Sequence, residues 1–205
     1  MNVFSDIEID ALTEVFNVGA GRAALTLSEI IGEEVMLSVP SLKVLSSAEI
    51  FPSVLTGKDG KFATVSQVFS GPFTAEAVLL FTENYALEIV RDMMGSQMSI
   101  DDLAEFEQEA MSELGNIILN ASLSAMADMF DISLNSSLPS YSISSPQDIA
   151  DRFVDNGSDD NYVLVLHIDL VLEKHHTEGH LIFLLSSTSL SKLVAHVQQY
   201  LSNIL

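Results

Sequence analysis

A pattern of a glutamate, an asparagine and a proline occurs twice in this chain, with a constant separation of 99 residues. The first copy has Glu14, Asn17 and Pro40, and the second has Glu113, Asn116 and Pro139 (113 − 14, 116 − 17 and 139 − 40 all give 99). The predicted elements repeat in the same order: a long helix, a strand, a short helix, a strand hairpin and a closing helix. Repetition without a change of composition between the copies favours one pseudo-symmetric domain over residues 1–205, with repeats at about 1–98 and 99–205. About three strands per copy are too few for a stable sheet, so we expect the copies to share one sheet and one core.

The first motif lies on a predicted helix that begins after a Ser5–Glu8 capping box and ends near Ile31. One face of this helix carries Asp10, Glu14, Asn17 and Gly21. The first three are polar, and Gly21 leaves the end of the face without a side chain. Another face is apolar and is expected to be buried: Leu12, Phe16, Ala20, Ala23, Leu27 and Ile30. Glycines at positions 19 and 21 inside a helix indicate close backbone packing or a kink.

The charge of the chain is strongly negative, with 29 Asp and Glu against 8 Lys and Arg and a net charge of −21. A phosphate backbone or an anionic membrane needs a basic patch, so we expect neither as a partner. The charge favours a partner with a positive or metal-loaded face, although acidity that only maintains solubility is the alternative. The chain has no cysteine, which excludes disulfides and thiol nucleophiles.

Neither the N-terminal segment nor the most apolar segments of the sequence indicate a membrane protein. The N-terminus, MNVFSDIEID, has no basic region followed by an apolar run, so we predict no signal peptide. The most apolar segments, YVLVLHIDLVL and LIFLL, are too short to span a bilayer. We expect a cytoplasmic protein.

The two Glu-x-x-Asn pairs place a carboxylate and an amide one helical turn apart. An amide has little acid–base power, but it donates and accepts hydrogen bonds in a fixed geometry and can hold a water in line with a phosphorus atom. Most exposed pairs of this kind are only solvated surface. The constant separation of the copies, with a proline equally placed after each, favours a functional pair.

With these residues the sequence resembles the CheC/CheX/FliY family of chemotaxis phosphatases. The family signature is Asp or Ser, three residues, Glu, two residues, Asn, 22 residues and Pro. The segment from Asp10 to Pro40 matches it at every position, and the segment from Glu109 to Pro139 matches at three of four. Two motif copies resemble CheC more than CheX, which has one copy. The resemblance implies an α/β (α+β) fold with one mainly antiparallel sheet and two long motif helices exposed on one side.

The resemblance also implies a function, which is hydrolysis of the aspartyl phosphate on CheY or another receiver domain. Glu14 and Glu113 would dock the regulator, Asn17 and Asn116 would position the attacking water, and Asp10, Gly21 and Glu109 would contact the partner. The regulator would supply Mg²⁺, so no cofactor of the chain's own is expected. Members of the CheC type also bind CheD, the receptor deamidase. One chain supplies both halves of the symmetry, which is compatible with a monomer.

The second copy departs from the signature at two places. Glu109 stands where the family has Asp or Ser, and Asn120 stands where the first copy has Gly21. A longer acid and a bulkier neighbour hinder close docking, so the sequence favours the first site as the more active. The alternative function is a non-catalytic module of the chemotaxis or flagellar switch system that binds regulators or CheD without hydrolysis.

The segment His175-His176-Thr177-Glu178-Gly179-His180 is the one metal-like cluster of the sequence. We predict that it is a solvated hairpin turn, with a metal site as the minor alternative. His167 lies in an apolar strand and is interpreted as a core or edge residue.

Overall fold

The computed structural model describes residues 3–46, 49, 54–55, 60–94, 100–154, 161–172 and 175–204. Its helices are α1 (Asp6–Ile31), α2 (Glu83–Met94), α3 (Ile100–Phe130), α4 (Pro146–Val154) and α5 (Ser187–Ile204). Its strands are β1 (Val35–Ser46), β2 (Phe62–Ser70), β3 (Thr74–Thr82), β4 (Asn135–Ser136), β5 (Ser140–Ser144), β6 (Asn161–Leu172) and β7 (His175–Ser186). The short helix predicted in the first repeat lies mostly outside the described residues.

Helix α1 begins and ends where the sequence indicates. The Glu8 carboxylate accepts hydrogen bonds from the Ser5 backbone N–H (2.7 Å) and the Ser5 hydroxyl (2.9 Å). Gly32 ends the helix in the left-handed region with φ 80°, a conformation that glycine adopts without strain. The apolar face is buried as predicted except at Ile30, which is 54% exposed. The prediction is wrong there because Ile30 lines an open groove beside α3 and does not reach the core.

The described strands form one antiparallel sheet of seven, in which the two repeats are interleaved. The order is β1-β6-β7-β3-β2-β4, and β5 also pairs with β2. Strand β1 of the first repeat pairs with β6 of the second, while β4 and β5 of the second repeat pair with β2 of the first. The predicted sharing of one sheet is therefore confirmed.

The helices divide unequally between the two faces of this sheet. Side chains from α1, α2, α3 and α5 form the main core with one face. A smaller apolar cluster covers part of the other face and includes Ile149 and Ala150 of α4. Within the described ranges, no helix is both long and apolar enough to cross a membrane.

Two glycines in the motif helices allow close approach of neighbouring elements. A Cβ at Gly19 would lie 2.6 Å from the Cα of Ser122, so α1 and α3 touch there through their backbones. A Cβ at Gly115 would lie 2.4 Å from a methyl group of Val65 in β2. The predicted close packing is thus confirmed at Gly19, whereas a Cβ at Gly21 would have no neighbour within 4 Å.

The prediction of a turn at the histidine-rich segment is wrong. His175 begins β7, and His176 and His180 pair with Val171 and His167 of β6. Thr177 and Gly179 are buried while Glu178 is exposed, which is the alternation of a strand with one face inward. Polar composition and a glycine are typical of a turn, but Gly179 is needed here because the ring of Phe81 lies where its Cβ would be.

Candidate functional site

The residues of both motif copies lie at the surface of α1 and α3. The side chains of Glu14 and Glu113 are exposed, and those of Asn17 and Asn116 are partly exposed. The flanking positions predicted to contact a partner are exposed as well: Asp10, Gly21 and Glu109. Another protein can therefore reach the motif residues of each helix.

The motif proline of the first copy lies in a β-bulge. The ladder between β1 and β6 pairs Ser38 with Asp169 and then Ser41 with His167, so β1 has one extra residue there. Pro40 has no N–H and cannot donate to a ladder. The bulge leaves the peptide groups of Val39 available to α1.

The side-chain amide of Asn17 hydrogen-bonds to these peptide groups of Val39. The Val39 N–H donates to Asn17 Oδ1 (2.9 Å), and Asn17 Nδ2 donates to the Val39 carbonyl (3.1 Å) and to the Thr13 carbonyl (3.1 Å). The side-chain amide thus pairs with Val39 as a neighbouring strand would. In the first copy, the long interval of the motif brings Asn17 to the residue that precedes Pro40.

The second copy has the same bulge but different hydrogen bonds. Strand β2 pairs Phe69 with Ser136 and Ser66 with Ser140, which again leaves one extra residue opposite the ladder. Leu138, the counterpart of Val39, is 88% exposed, whereas Val39 is buried. The motif asparagine therefore does not find the same partner in the two copies.

Gln67 of β2 takes that place in the second copy. Its Nε2 donates to Asn116 Oδ1 (3.3 Å) and to the Ser137 carbonyl (3.0 Å). Asn116 Oδ1 also accepts from Asn120 Nδ2 (2.7 Å). Within the described residues, Asn116 Nδ2 donates to no acceptor, and the buried Gln67 Oε1 has no hydrogen-bond partner.

An open apolar groove lies beside the second motif. Ile30 of α1, Met93 of α2 and Phe106 of α3 line it together with Glu109, Ala110, Ser112, Glu113 and Pro139. A groove of this composition next to an exposed carboxylate provides both apolar contact and a polar anchor for a partner. The first helix therefore contributes a side chain to the surroundings of the second motif.

Two polar contacts join α3 to neighbouring elements. The Tyr141 hydroxyl of β5 donates to Glu107 (2.6 Å), and burial, with this hydrogen bond, raises the pKa of Tyr141 above its ordinary value. Arg22 of α1 forms an ion pair with Asp128 (2.6 Å), and both side chains are well exposed, so this pair contributes little to stability.

Sequence reasoning missed Gln67, Ile30 as part of the groove, and the Val39 backbone. A signal was present for Gln67: in FATVSQVF the inward positions are Ala63, Val65, Gln67 and Phe69, and glutamine is the one polar member. For Val39 the signal was the proline that follows it.

The fold and the motif helices resemble chemotaxis and flagellar proteins. No protein-family model matches the chain. It is 30% identical over 149 residues to the CheY-P phosphatase CheC of Bacillus subtilis (strain 168), covering 70% of this chain and 71% of that protein.

Solved structures show the same fold. The crystal structure of Thermotoga maritima FliY matches with a TM-score of 0.76 and 19% identity, covering 97% of this chain and 99% of that one. A chain of the CheX–CheY–BeF3–Mg²⁺ complex from Borrelia burgdorferi matches with a TM-score of 0.53 and 14% identity, covering 84% and 97%. These structural matches establish the fold, whereas the 30% sequence identity to CheC establishes membership of a family. The chain belongs to the CheC/CheX/FliY family of chemotaxis phosphatases, as its motifs predict.

Proposed function

We propose that this protein hydrolyses the aspartyl phosphate of CheY or a related receiver domain, using Glu14, Asn17, Glu113 and Asn116. The observation that carries the proposal is the accessibility of both Glu/Asn pairs on helices at the surface, in a chain related to a CheY-P phosphatase. The regulator provides the phosphorylated aspartate and Mg²⁺, which neutralises phosphoryl oxygens. The chain itself contributes docking and orientation.

In the reaction, the oxygen of a water bonds to phosphorus and the bond from phosphorus to the aspartyl oxygen breaks. The products are the free carboxylate and inorganic phosphate, and the water's proton passes to solvent or phosphate. The exposed carboxylates of Glu14 and Glu113 anchor the regulator by pairing with a basic side chain on it. An asparagine amide then holds the water in line with the scissile bond, which lowers the barrier by positioning alone.

The side-chain amide of Asn116 in the second copy is better suited to positioning a water than that of Asn17. Asn116 Nδ2 has no acceptor within the described residues, so it is available to a water, while its Oδ1 is fixed by Asn120 and Gln67. The groove with Ile30 and Phe106 beside Glu113 offers an apolar docking surface. We propose Asn116 as the principal water-positioning residue.

The hydrogen bonds of the first copy favour binding over catalysis. Both N–H groups of the Asn17 amide donate to the Thr13 and Val39 carbonyls, and its Oδ1 accepts from the Val39 N–H. Asn17 must give up one of these bonds to donate to a water, whereas Asn116 Nδ2 has no acceptor within the described residues. A binding role without hydrolysis, which is the alternative function of the sequence analysis, is therefore favoured at this copy.

A turnover assay tests the proposal. Catalytic amounts of the protein are mixed with an excess of CheY phosphorylated in the presence of Mg²⁺, and phosphate release is followed over many equivalents. We expect multiple turnovers, abolished in a double variant Asn17→Ala, Asn116→Ala. The variant Glu29→Gln, an exposed acid elsewhere on α1, is the matched control and should retain full activity.

Protection of CheY-phosphate in proportion to the protein added would contradict catalysis and favour the binding module. Binding of CheD, which the family resemblance implies, is a separate prediction. A pull-down with purified CheD tests it independently of hydrolysis.

A further inference from the structure

We propose that the outer face of β6 and β7 binds a divalent transition metal of the Zn²⁺ class through His167, Asp169 and Glu178, with His176 bordering the site beside Asp169. This face is the one opposite α1 and α3, so the site is separate from the motif residues. The proposal does not depend on the phosphatase function.

The sheet brings these side chains together by register. His167 is paired with His180, Asp169 with Glu178, and Val171 with His176, so alternate residues of both strands share the outer face. Further along the same face, the outward residues are apolar and buried in the smaller cluster, which also contains Val54 and Leu55: Val163, Val165, Ile182 and Leu184. Between Val165 and His167, within two residues, the face changes from apolar to histidine and carboxylate.

Two distances between donor atoms match the separation of ligands around a tetrahedral metal. His167 Nε2 lies 3.3 Å from Asp169 Oδ1, and His176 Nε2 lies 3.4 Å from the same oxygen. Ligand atoms about 2.0–2.1 Å from a tetrahedral Zn²⁺ are separated by about 3.3–3.4 Å. Charged hydrogen bonds are usually shorter, about 2.7–2.9 Å. Donor atoms of His167, Asp169 and Glu178 all lie within 4.8 Å of one another.

The donor set selects the kind of metal. Imidazole nitrogens suit Zn²⁺, Ni²⁺ and Co²⁺, whereas Mg²⁺ and Ca²⁺ prefer sites built from oxygen alone. The two carboxylates neutralise a divalent charge, and the net charge of −21 attracts cations to the surface. The ring of His180 lies edge-on to that of His167 with centroids 5.3 Å apart, and it borders the same site.

The other repeat shows what occupies the equivalent place when histidines are absent. By register, Ser66 corresponds to His167 and Glu76 corresponds to Glu178. There Arg152 of α4 hydrogen-bonds to both Ser66 and Glu76, so the protein supplies its own cation. Within the described residues, no Lys or Arg forms an ion pair with Asp169 or Glu178, although Lys43 lines the same pocket as His167 and His180. A bound metal ion would neutralise the two carboxylates.

Equilibrium dialysis and Co²⁺ absorption spectroscopy test the site on the full chain after chelator treatment. We expect one equivalent of Zn²⁺ or Co²⁺ per chain and the intense visible absorption of tetrahedral Co²⁺. His167→Ala and Asp169→Asn should each weaken binding by at least about tenfold, since loss of even an outer partner costs about 10–100-fold. Zn²⁺ should raise the Tm of the native chain but not of these variants.

Matched controls separate a built site from diffuse attraction to an acidic surface. His196→Ala in α5 and Glu29→Gln in α1 should bind as the native chain does. His167→Asn, which keeps a polar side chain of similar reach, checks that a loss of binding is not a loss of folding, with circular dichroism of each metal-free variant. Equal affinity in all variants, more than one weak equivalent, or no binding would overturn the proposal.

Discussion

The side-chain amide of Asn17 and the peptide groups of Val39 hydrogen-bond in both directions, at 2.9 Å and 3.1 Å, across an interval of 22 residues. This pairing joins the motif helix to the edge strand β1 at the bulge before Pro40. It gives Asn17 a structural role that its counterpart Asn116 does not share.

Asn17→Ala should therefore destabilise the fold more than Asn116→Ala. The change leaves the N–H and carbonyl of buried Val39 without partners, at a cost of about 1–3 kcal/mol, partly offset by the better helix propensity of alanine. Urea denaturation of both variants measures the difference. Equal losses would show that the Val39 pairing contributes nothing to stability.

The order of the activity losses should be the opposite. The sequence alone favours the first copy, because Glu109 and Asn120 depart from the pattern of that copy. The hydrogen bonds favour the second, because Asn116 Nδ2 is available and Asn17 is engaged. We expect Asn116→Ala to slow CheY-phosphate hydrolysis more than Asn17→Ala, at a temperature where both variants are folded. A larger loss from Asn17→Ala would restore the ranking that the sequence suggests.

Gln67→Met should reduce turnover without weakening regulator binding. The change removes the bond from Gln67 Nε2 that helps to orient Asn116, and a fall of about tenfold in kcat corresponds to one hydrogen bond. KM should change little, because buried Gln67 does not reach a docked partner. Steady-state kinetics give both constants, and Gln67→Glu, which keeps the length but cannot donate to Asn116 Oδ1, should lose kcat as well. A rise in KM with constant kcat would assign Gln67 to the docking surface.

Gly19→Ala and Gly21→Ala should have effects of opposite sign on stability. A methyl group at position 19 would overlap the Ser122 backbone, and overpacking of this kind costs about 1–3 kcal/mol. At position 21 the space is open, so alanine should stabilise the helix by about 0.5–1 kcal/mol. Thermal unfolding measures both.

The same Gly21→Ala variant tests the predicted docking role of this position. If a regulator needs the gap, its affinity should fall although the fold is more stable. Unchanged affinity would limit Gly21 to a surface position without a partner.

Glu8 should stabilise the protein less at low pH. The hydrogen bond from the Ser5 backbone, with further bonds from Gln198 and the Ser5 hydroxyl, lowers the pKa of Glu8 below its ordinary value, and burial opposes this. A carboxyl with a lowered pKa in the folded state contributes stability above its unfolded pKa, about 4.3, and loses it as the pH falls through the folded value. The difference in unfolding free energy between the native chain and Glu8→Gln should therefore shrink from pH 7 to pH 3. A difference for Glu8→Gln that stays constant from pH 7 to pH 3 would refute the linkage.

Much of the fold followed from local patterns. The limits of α1 were set by Ser5, Glu8 and Gly32, and the apolar spacing from Leu12 to Leu27 identified the buried face. The strand assignment failed at His176–His180, because a turn and a polar strand edge share composition. Only the pairing with His167 and Asp169 distinguishes them.

The sequence by itself determined the repeat, the exposed Glu and Asn positions and the family. The motif residues recur at regular intervals along the chain, and helical spacing places them on one face of a helix. The tertiary structure alone decided which partners the two asparagines find and that histidines from two strands meet one carboxylate. Hydrogen-bond partners and donor distances depend on the register of strands far apart in the chain, such as β1 with β6 and β6 with β7. No local pattern specifies that register.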